Sequence, residues 1–214
     1  YSLYTAIGYY GRWGETQGIS NGLQILTLQN TPFGWIFFAV SSGVMLLISL
    51  FSLSYNDTKH ATGIAPLWTI LLGANAGIFY AADWITFLVA WEIMGWTSFF
   101  IISHGREKSF KAGIYYFTLS LIGAAALFAA VFILSLSTGT FEIRESILGL
   151  RRLWAVRPGI IYTVSILLLI TFFSKSAVGP FYMWPAKAHA EAPDDFSSFL
   201  SGIMIKYGVY GLLI

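Results

Sequence analysis

The chain has 214 residues, of which 57% are hydrophobic and only 10% charged, with a formal net charge of +2. Soluble domains carry about 25% charged residues, so this composition excludes a soluble globular domain and reads as an all-α membrane protein, a multi-span helical bundle set in a lipid bilayer. A nearly balanced charge without a Lys/Arg block excludes nucleic acid as a partner, and the absence of cysteine excludes a disulfide framework, a thiolate nucleophile and Cys-ligated zinc or iron–sulfur centres.

Residues 1–33 mix aromatics, glycines and polar groups and lack the uninterrupted apolar run of about 20 residues that a membrane helix needs. They are assigned to the water interface. Asn21-Gly22 followed by an apolar/polar alternation from Leu23 predicts a short surface β-hairpin, and Tyr9, Tyr10 and Trp13 suit a headgroup belt. Residues 34–136 are read as four transmembrane helices, over 34–55, 64–82, 84–103 and 112–136. Pro66 falls near the start of the second, where a missing N–H does least harm. Asp83 marks a very tight turn into the third, and Gly123, Ala124, Ala125 and Ala126 offer the fourth a small-residue face for close packing.

Residues 137–158 turn polar, with apolar Ile143, Ile147, Leu150 and Trp154 at helical spacing among charged groups. An amphipathic helix lying on the membrane surface fits this pattern, and a partly structured loop is the alternative. Residues 159–214 are read as a broken transmembrane helix, interrupted at Gly179-Pro180 and again at Pro185, followed from about Phe196 by the start of another helix. That last apolar run reaches Ile214 without a charged anchor, as expected of an internal piece of a longer polypeptide. Alternating spans place Lys59, Arg106, Lys108 and Lys111 on one side and Arg12, Arg144, Arg151, Arg152 and Arg157 on the other. The weight of short loops favours a cytoplasmic side for the first set.

Three ionisable side chains fall inside apolar runs: Glu92, Lys175 and Lys206. Each such group costs about 3 kcal/mol at the middle of a span, so by default it marks a pathway for ions or protons. Broken helices are tolerated in a membrane only where protein or a watery cavity surrounds the freed carbonyls, and transporters bind ions at such breaks. Lys175 precedes the break. A lysine held between burial and a nearby carboxylate can be switched by small movements, and Glu92 is the expected counter-ion. Lys206 is the next station, with His189 a candidate relay between the two lysines. The structural alternative is a Glu92–Lys175 pair that only holds two helices in register, with His189 merely interfacial. Lys187, Glu191, Asp194 and Asp195 are expected as solvated turn charges with an N-cap role for the last helix. Trp91 and Trp96 are expected to pack.

The segment Phe172–Gly211, in which Lys175 precedes a proline-broken stretch, an A-H-A-E-A-P turn covers residues 188–193 and Lys206 lies in a glycine-rich helix, resembles the antiporter-like subunits shared by respiratory complex I, Mrp-type cation/proton antiporters and membrane-bound hydrogenases. Trp91-Glu92 matches the acidic helix of that family. The resemblance implies a fragment of an inverted-repeat antiporter-like fold, covering the first repeat and the start of the second. It further implies Glu92 and Lys175 as an entry pair, and Lys206 as the group that passes protons onward. It also implies other membrane subunits as partners, H+ or Na+ as the transported ion, and an integral, multi-pass place in a prokaryotic cell membrane. Two departures stand out. The family's Trp-Leu-Pro-Asp reads Trp184-Pro185-Ala186-Lys187 here, and its Thr-Pro after the turn reads Asp194-Asp195. No cofactor and no metal site is expected of this chain. A non-pumping scaffold subunit that anchors a soluble oxidoreductase is the competing reading. A membrane-embedded enzyme is disfavoured, because neither an H-E-x-x-H motif nor a nucleophile elbow is present.

Overall fold

A computed structural model describes residues 16–18, 26–54, 58–105 and 107–214. In lipid a backbone N–H or C=O must find its partner within its own segment, so the apolar runs become helices. They are α1 Pro32–Ser54, α2 Thr58–Tyr80, α3 Trp84–Ser103 and α4 Ser109–Thr138. There follow α5 Ile143–Leu153, α6 Pro158–Lys175 and α7 Met183–Glu191, then α8 Asp194–Phe199, a π-helical turn Leu200–Met204 and α9 Ile205–Leu213. Among the described residues, five stretches are long and apolar enough to cross a membrane: Pro32–Ser52, Trp84–Ser103, Ser109–Thr138, Pro158–Lys175 and Asp194–Leu213. Ile64–Tyr80 is a shorter apolar helix. The multi-span, all-α bundle expected from composition is the architecture found, with Val40, Leu47, Phe128 and Leu136 left exposed on its outer faces.

At one end, strand β1 Thr16–Gly18 pairs antiparallel with β2 Thr27–Gln29, Thr16 opposite Gln29. The Asn21-Gly22 turn and the aromatics Tyr9, Tyr10 and Trp13 lie outside the described residues. The turn before α3 is where this end is tied together. Asp83 is the N-cap: its Oδ1 accepts from Thr86 N at 2.7 Å and its Oδ2 accepts from Thr86 Oγ1 at 2.6 Å. The same Oδ2 accepts from Thr27 N at 2.9 Å and from the Thr27 hydroxyl, so one carboxylate caps a helix and holds β2 against it. Ile143 N donates to Ala82 O at 3.0 Å and Trp84 Nε1 to Ser146 Oγ at 2.8 Å, which fixes α5 to the same turn. Asp83→Ala is therefore expected to cost roughly 2–3 kcal/mol, the loss of a cap plus hydrogen bonds to a charged acceptor. A lower melting temperature of the purified protein checks it, and an unchanged one would refute it.

Of the two readings of residues 137–158, the helix is observed. Ile143 and Ser146 of α5 are buried, and Arg151 and Arg152 occupy its last turn, where the helix dipole favours cations. The small-residue face of α4 lets α6 come close. Thr171 Oγ1 donates to Gly123 O at 2.9 Å, and a Cβ at Gly123 would collide with Ser174 Oγ.

After Lys175 the helix stops, and residues 176–182 run irregularly through a cis Gly179–Pro180 peptide, with Ala177 at a φ of 55°. The break thus lies around Pro180. Pro185 is the third residue of α7, in the first turn, where its missing N–H would have had no helical partner. It interrupts no helix, because a new one has just begun.

Candidate functional site

Lys175 ends α6 with only 1% of its surface exposed. Its Nζ donates to Tyr116 Oη and to Ser120 Oγ of α4, each at 2.7 Å. Tyr116 and Ser120 are four residues apart, hence on one helical face. The amine lies 4.9 Å from the centre of the Tyr116 ring and 5.8 Å from that of Trp91 on α3, distances at which an ammonium is attracted by a ring face. The cage is made of hydroxyls and π-faces, and no carboxylate among the described residues is in contact with the amine.

Glu92 follows Trp91 and is half-buried. It makes no direct ion pair with Lys175, although it lies within electrostatic range of the lysine's charge. The reason is its height on the helix. The residue beside the amine is Gly95, whose Cβ would sit 3.7 Å from Lys175 Nζ, and Glu92 is three residues earlier, about one turn away on the same face. The structure brings the pair to neighbouring levels and leaves a gap between them.

The helix end beside Lys175 satisfies its own carbonyls. Ser176 N donates to Phe172 O at 2.9 Å and Val178 N to Phe173 O at 3.1 Å. Trp184 Nε1, from the far side of the break, donates to Ser174 O at 2.8 Å. Trp184 is itself buried, 5.2 Å edge-on from the Tyr116 ring.

Lys206 stands elsewhere. It is exposed on α9, its Nζ donates to Ser201 O at 2.6 Å, and it borders an open groove of about 230 Å³ lined by Ile36, Phe37, Val40, Ser41 and Phe79. The three ionisable groups do not meet at one place in the described chain: Glu92 and Lys175 are near neighbours, whereas Lys206, expected as the next station, faces outward. The π-helical turn Leu200–Met204 ends two residues before it, and a π turn adds residues per turn and rotates the face on which everything after it falls.

His189 is half-buried, its Nδ1 2.8 Å from Ser197 Oγ, and so links α7 to α8 and touches neither lysine. The turn charges have partners. Lys187 Nζ lies 3.7 Å from the centre of the Tyr115 ring, and Glu191 Oε2 accepts from Lys108 N, at the start of α4. The N-cap of α8 is Pro193. Asp194 and Asp195 occupy the first turn instead, where Asp195 Oδ1 accepts from Phe196 N at 2.7 Å. Trp91 packs on Phe87 and Phe172 as well as facing Lys175, and Trp96 packs on Phe117.

Sequence reasoning missed Tyr116 and Ser120, and it missed a buried polar group formed by Ser41, Asn75 and Tyr207. An asparagine inside the apolar run 67–80 was the available signal. Among the described residues no cluster of three or more His, Asp or Glu could hold a metal. What the site offers chemically is a single buried amine with hydroxyl acceptors, set at a helix break near an acid.

A sequence model of the NADH:quinone oxidoreductase/Mrp antiporter transmembrane family matches residues 81–214. Hydrogenase-4 component B of Escherichia coli (strain K12) is 26% identical over 192 residues, covering 88% of this chain and 28% of that protein. The Na(+)/H(+) antiporter subunit A1 of Staphylococcus epidermidis is 34% identical over 170 residues, covering 77% of this chain and 21% of that protein. The Mrp complex of Dietzia sp. contains a chain that superposes with a TM-score of 0.88 at 23% identity, over 99% of this chain and 24% of that one. The chain thus spans under a third of the length of these relatives.

Proposed function

From a chain that belongs to the NADH:quinone oxidoreductase/Mrp antiporter transmembrane family, we propose a proton- or sodium/proton-translocating, antiporter-like subunit of a membrane-bound respiratory or hydrogenase-type complex. In it Glu92, Lys175 and Lys206 handle protons and His189 is a candidate relay. Other membrane subunits are its partners, and its place is a prokaryotic cell membrane.

The observation that carries this reading is Lys175, a wholly buried amine that donates to two hydroxyls and, among the described residues, touches no carboxylate. An amine serving only as structural glue would be expected in direct contact with its acid, because an uncompensated buried charge is strongly destabilising. Here the acid stands one turn away, so a small shift of α3 against α6 changes the field at the amine without breaking a contact. Such an arrangement suits a group that must take up and give back a proton in each cycle.

Dye-monitored proton flux in membrane vesicles carrying the full-length subunit in its complex tests the proposal with Glu92→Gln, Lys175→Ala and Lys206→Ala. Flux per assembled complex is expected to fall in all three. Full flux in all three would sink the relay. Reduced assembly with unchanged flux per assembled complex would favour the scaffold reading.

A further inference from the structure

Polar side chains wholly buried between membrane helices need a reason to be there. Asn75 is one, on α2 with none of its surface exposed, and it joins three helices. Its Nδ2 donates to Ser41 Oγ of α1 at 2.8 Å, and its Oδ1 accepts from Tyr207 Oη of α9 at 2.8 Å. The Ser41 hydroxyl donates onward to Phe38 O at 3.0 Å.

The two ends of this group point to the two lysines. Ser41 lines the groove that Lys206 borders. Gly208, the residue after Tyr207, lies so close to the end of α6 that a Cβ there would meet Phe172 O and Ser176 Oγ, one residue from Lys175. The Tyr207 ring is held 5.3 Å from Phe79, and Ser176, next to Lys175, donates to Ile205 O at 3.2 Å, two residues before Tyr207.

We infer that Tyr207, oriented by Asn75, is a positioning residue that joins the Lys175 cage to the Lys206 groove. This rests on the relay reading above. Because the Tyr207 O–H is committed to the Asn75 carbonyl, its oxygen lone pairs are left to accept a hydrogen bond from a water that carries the proton between the two amines. In that transfer an N–H bond of the Lys175 ammonium breaks and an N–H bond forms on the Lys206 amine. Tyr207 keeps its own proton, and the amide of Asn75 carries none.

Flux per assembled complex is measured in ordinary and heavy water for Tyr207→Phe and Asn75→Leu, beside wild type and Lys175→Ala. Tyr207→Phe keeps the ring and removes the hydroxyl, both its lone pairs and the O–H that Asn75 Oδ1 accepts. It is expected to lower the flux about tenfold, the effect of one well-placed hydrogen bond, and to raise the solvent deuterium isotope effect, because proton transfer becomes the slow step. Asn75→Leu is expected to do the same by releasing the tyrosine hydroxyl. If Asn75→Leu does not assemble, Tyr207→Phe alone decides. Wild-type flux in Tyr207→Phe, or a loss of flux with an unchanged isotope effect, would overturn the inference in favour of plain helix packing. Lys175→Ala separates the two claims. Flux that survives Lys175→Ala overturns the relay itself. A silent Lys175→Ala beside an unaffected Tyr207→Phe overturns only the bridge.

Discussion

Lys175→Met is expected to reduce ion flux by about a hundredfold or more, the scale of losing an acid–base group, while leaving the assembled protein as stable as before or more so. The two effects have opposite signs for one reason. An ammonium taken out of water without a carboxylate in contact retains a desolvation penalty on the order of several kcal/mol, and the hydroxyls of Tyr116 and Ser120 offset only part of it. Methionine fills a similar volume, carries no charge and accepts the aromatic surroundings of Trp91 and Tyr116. Flux in vesicles and a melting curve of the purified complex measure the two sides. Wild-type flux would end the case for Lys175 as a proton carrier. A melting temperature lowered by many degrees would show that its amine is chiefly a structural tie.

The second large effect is expected at Gly208, where α9 lies against the end of α6. A Cβ there would collide with the Phe172 carbonyl oxygen and with Ser176 Oγ. A side chain can turn aside, but a main-chain carbonyl in the last turn of a helix cannot, so Gly208→Ala must push the two helices apart. Overpacking of this kind costs typically about 1–3 kcal/mol, and here it would also disturb the backbone that presents Lys175. Gly211→Ala should be milder, since the atoms nearest the added methyl belong to the Phe172 ring and not to main chain. Gly43→Ala, with nothing within 4 Å of the new Cβ, should be neutral or stabilising by up to about 1 kcal/mol through helix propensity. Melting temperatures that rank Gly208→Ala beside Gly43→Ala would contradict the close approach.

Hydropathy made most of the bundle legible, because a membrane helix must be apolar along its length and the runs announce themselves. Asp83, Gly123 and Pro180 could be read for the same kind of reason: each residue type does something at its position that few others can. The cage around Lys175 was not legible. Tyr116 and Ser120 belong to a helix dotted with hydroxyls, some of which, like that of Thr118, bond to the carbonyl four residues back, and spacing alone cannot tell the two kinds apart. Lys206 was found by its charge but misplaced by its face, since no residue pattern in 200–204 reveals a π turn. Pro185 was read as a second break because a proline inside an apolar run resembles one, whereas a proline in a first turn looks the same in sequence and does the opposite.

Trp184 carries a mechanical consequence. Its indole grips the carbonyl of Ser174 from across the interruption, and its ring rests against the very tyrosine whose oxygen accepts from Lys175. At the other end of the same short helix, Glu191 holds the main chain of Lys108. Residues 183–191 therefore tie Lys108, at the start of α4, to the carbonyl beside Lys175, so a displacement at one end of this short helix is coupled through hydrogen bonds to the other.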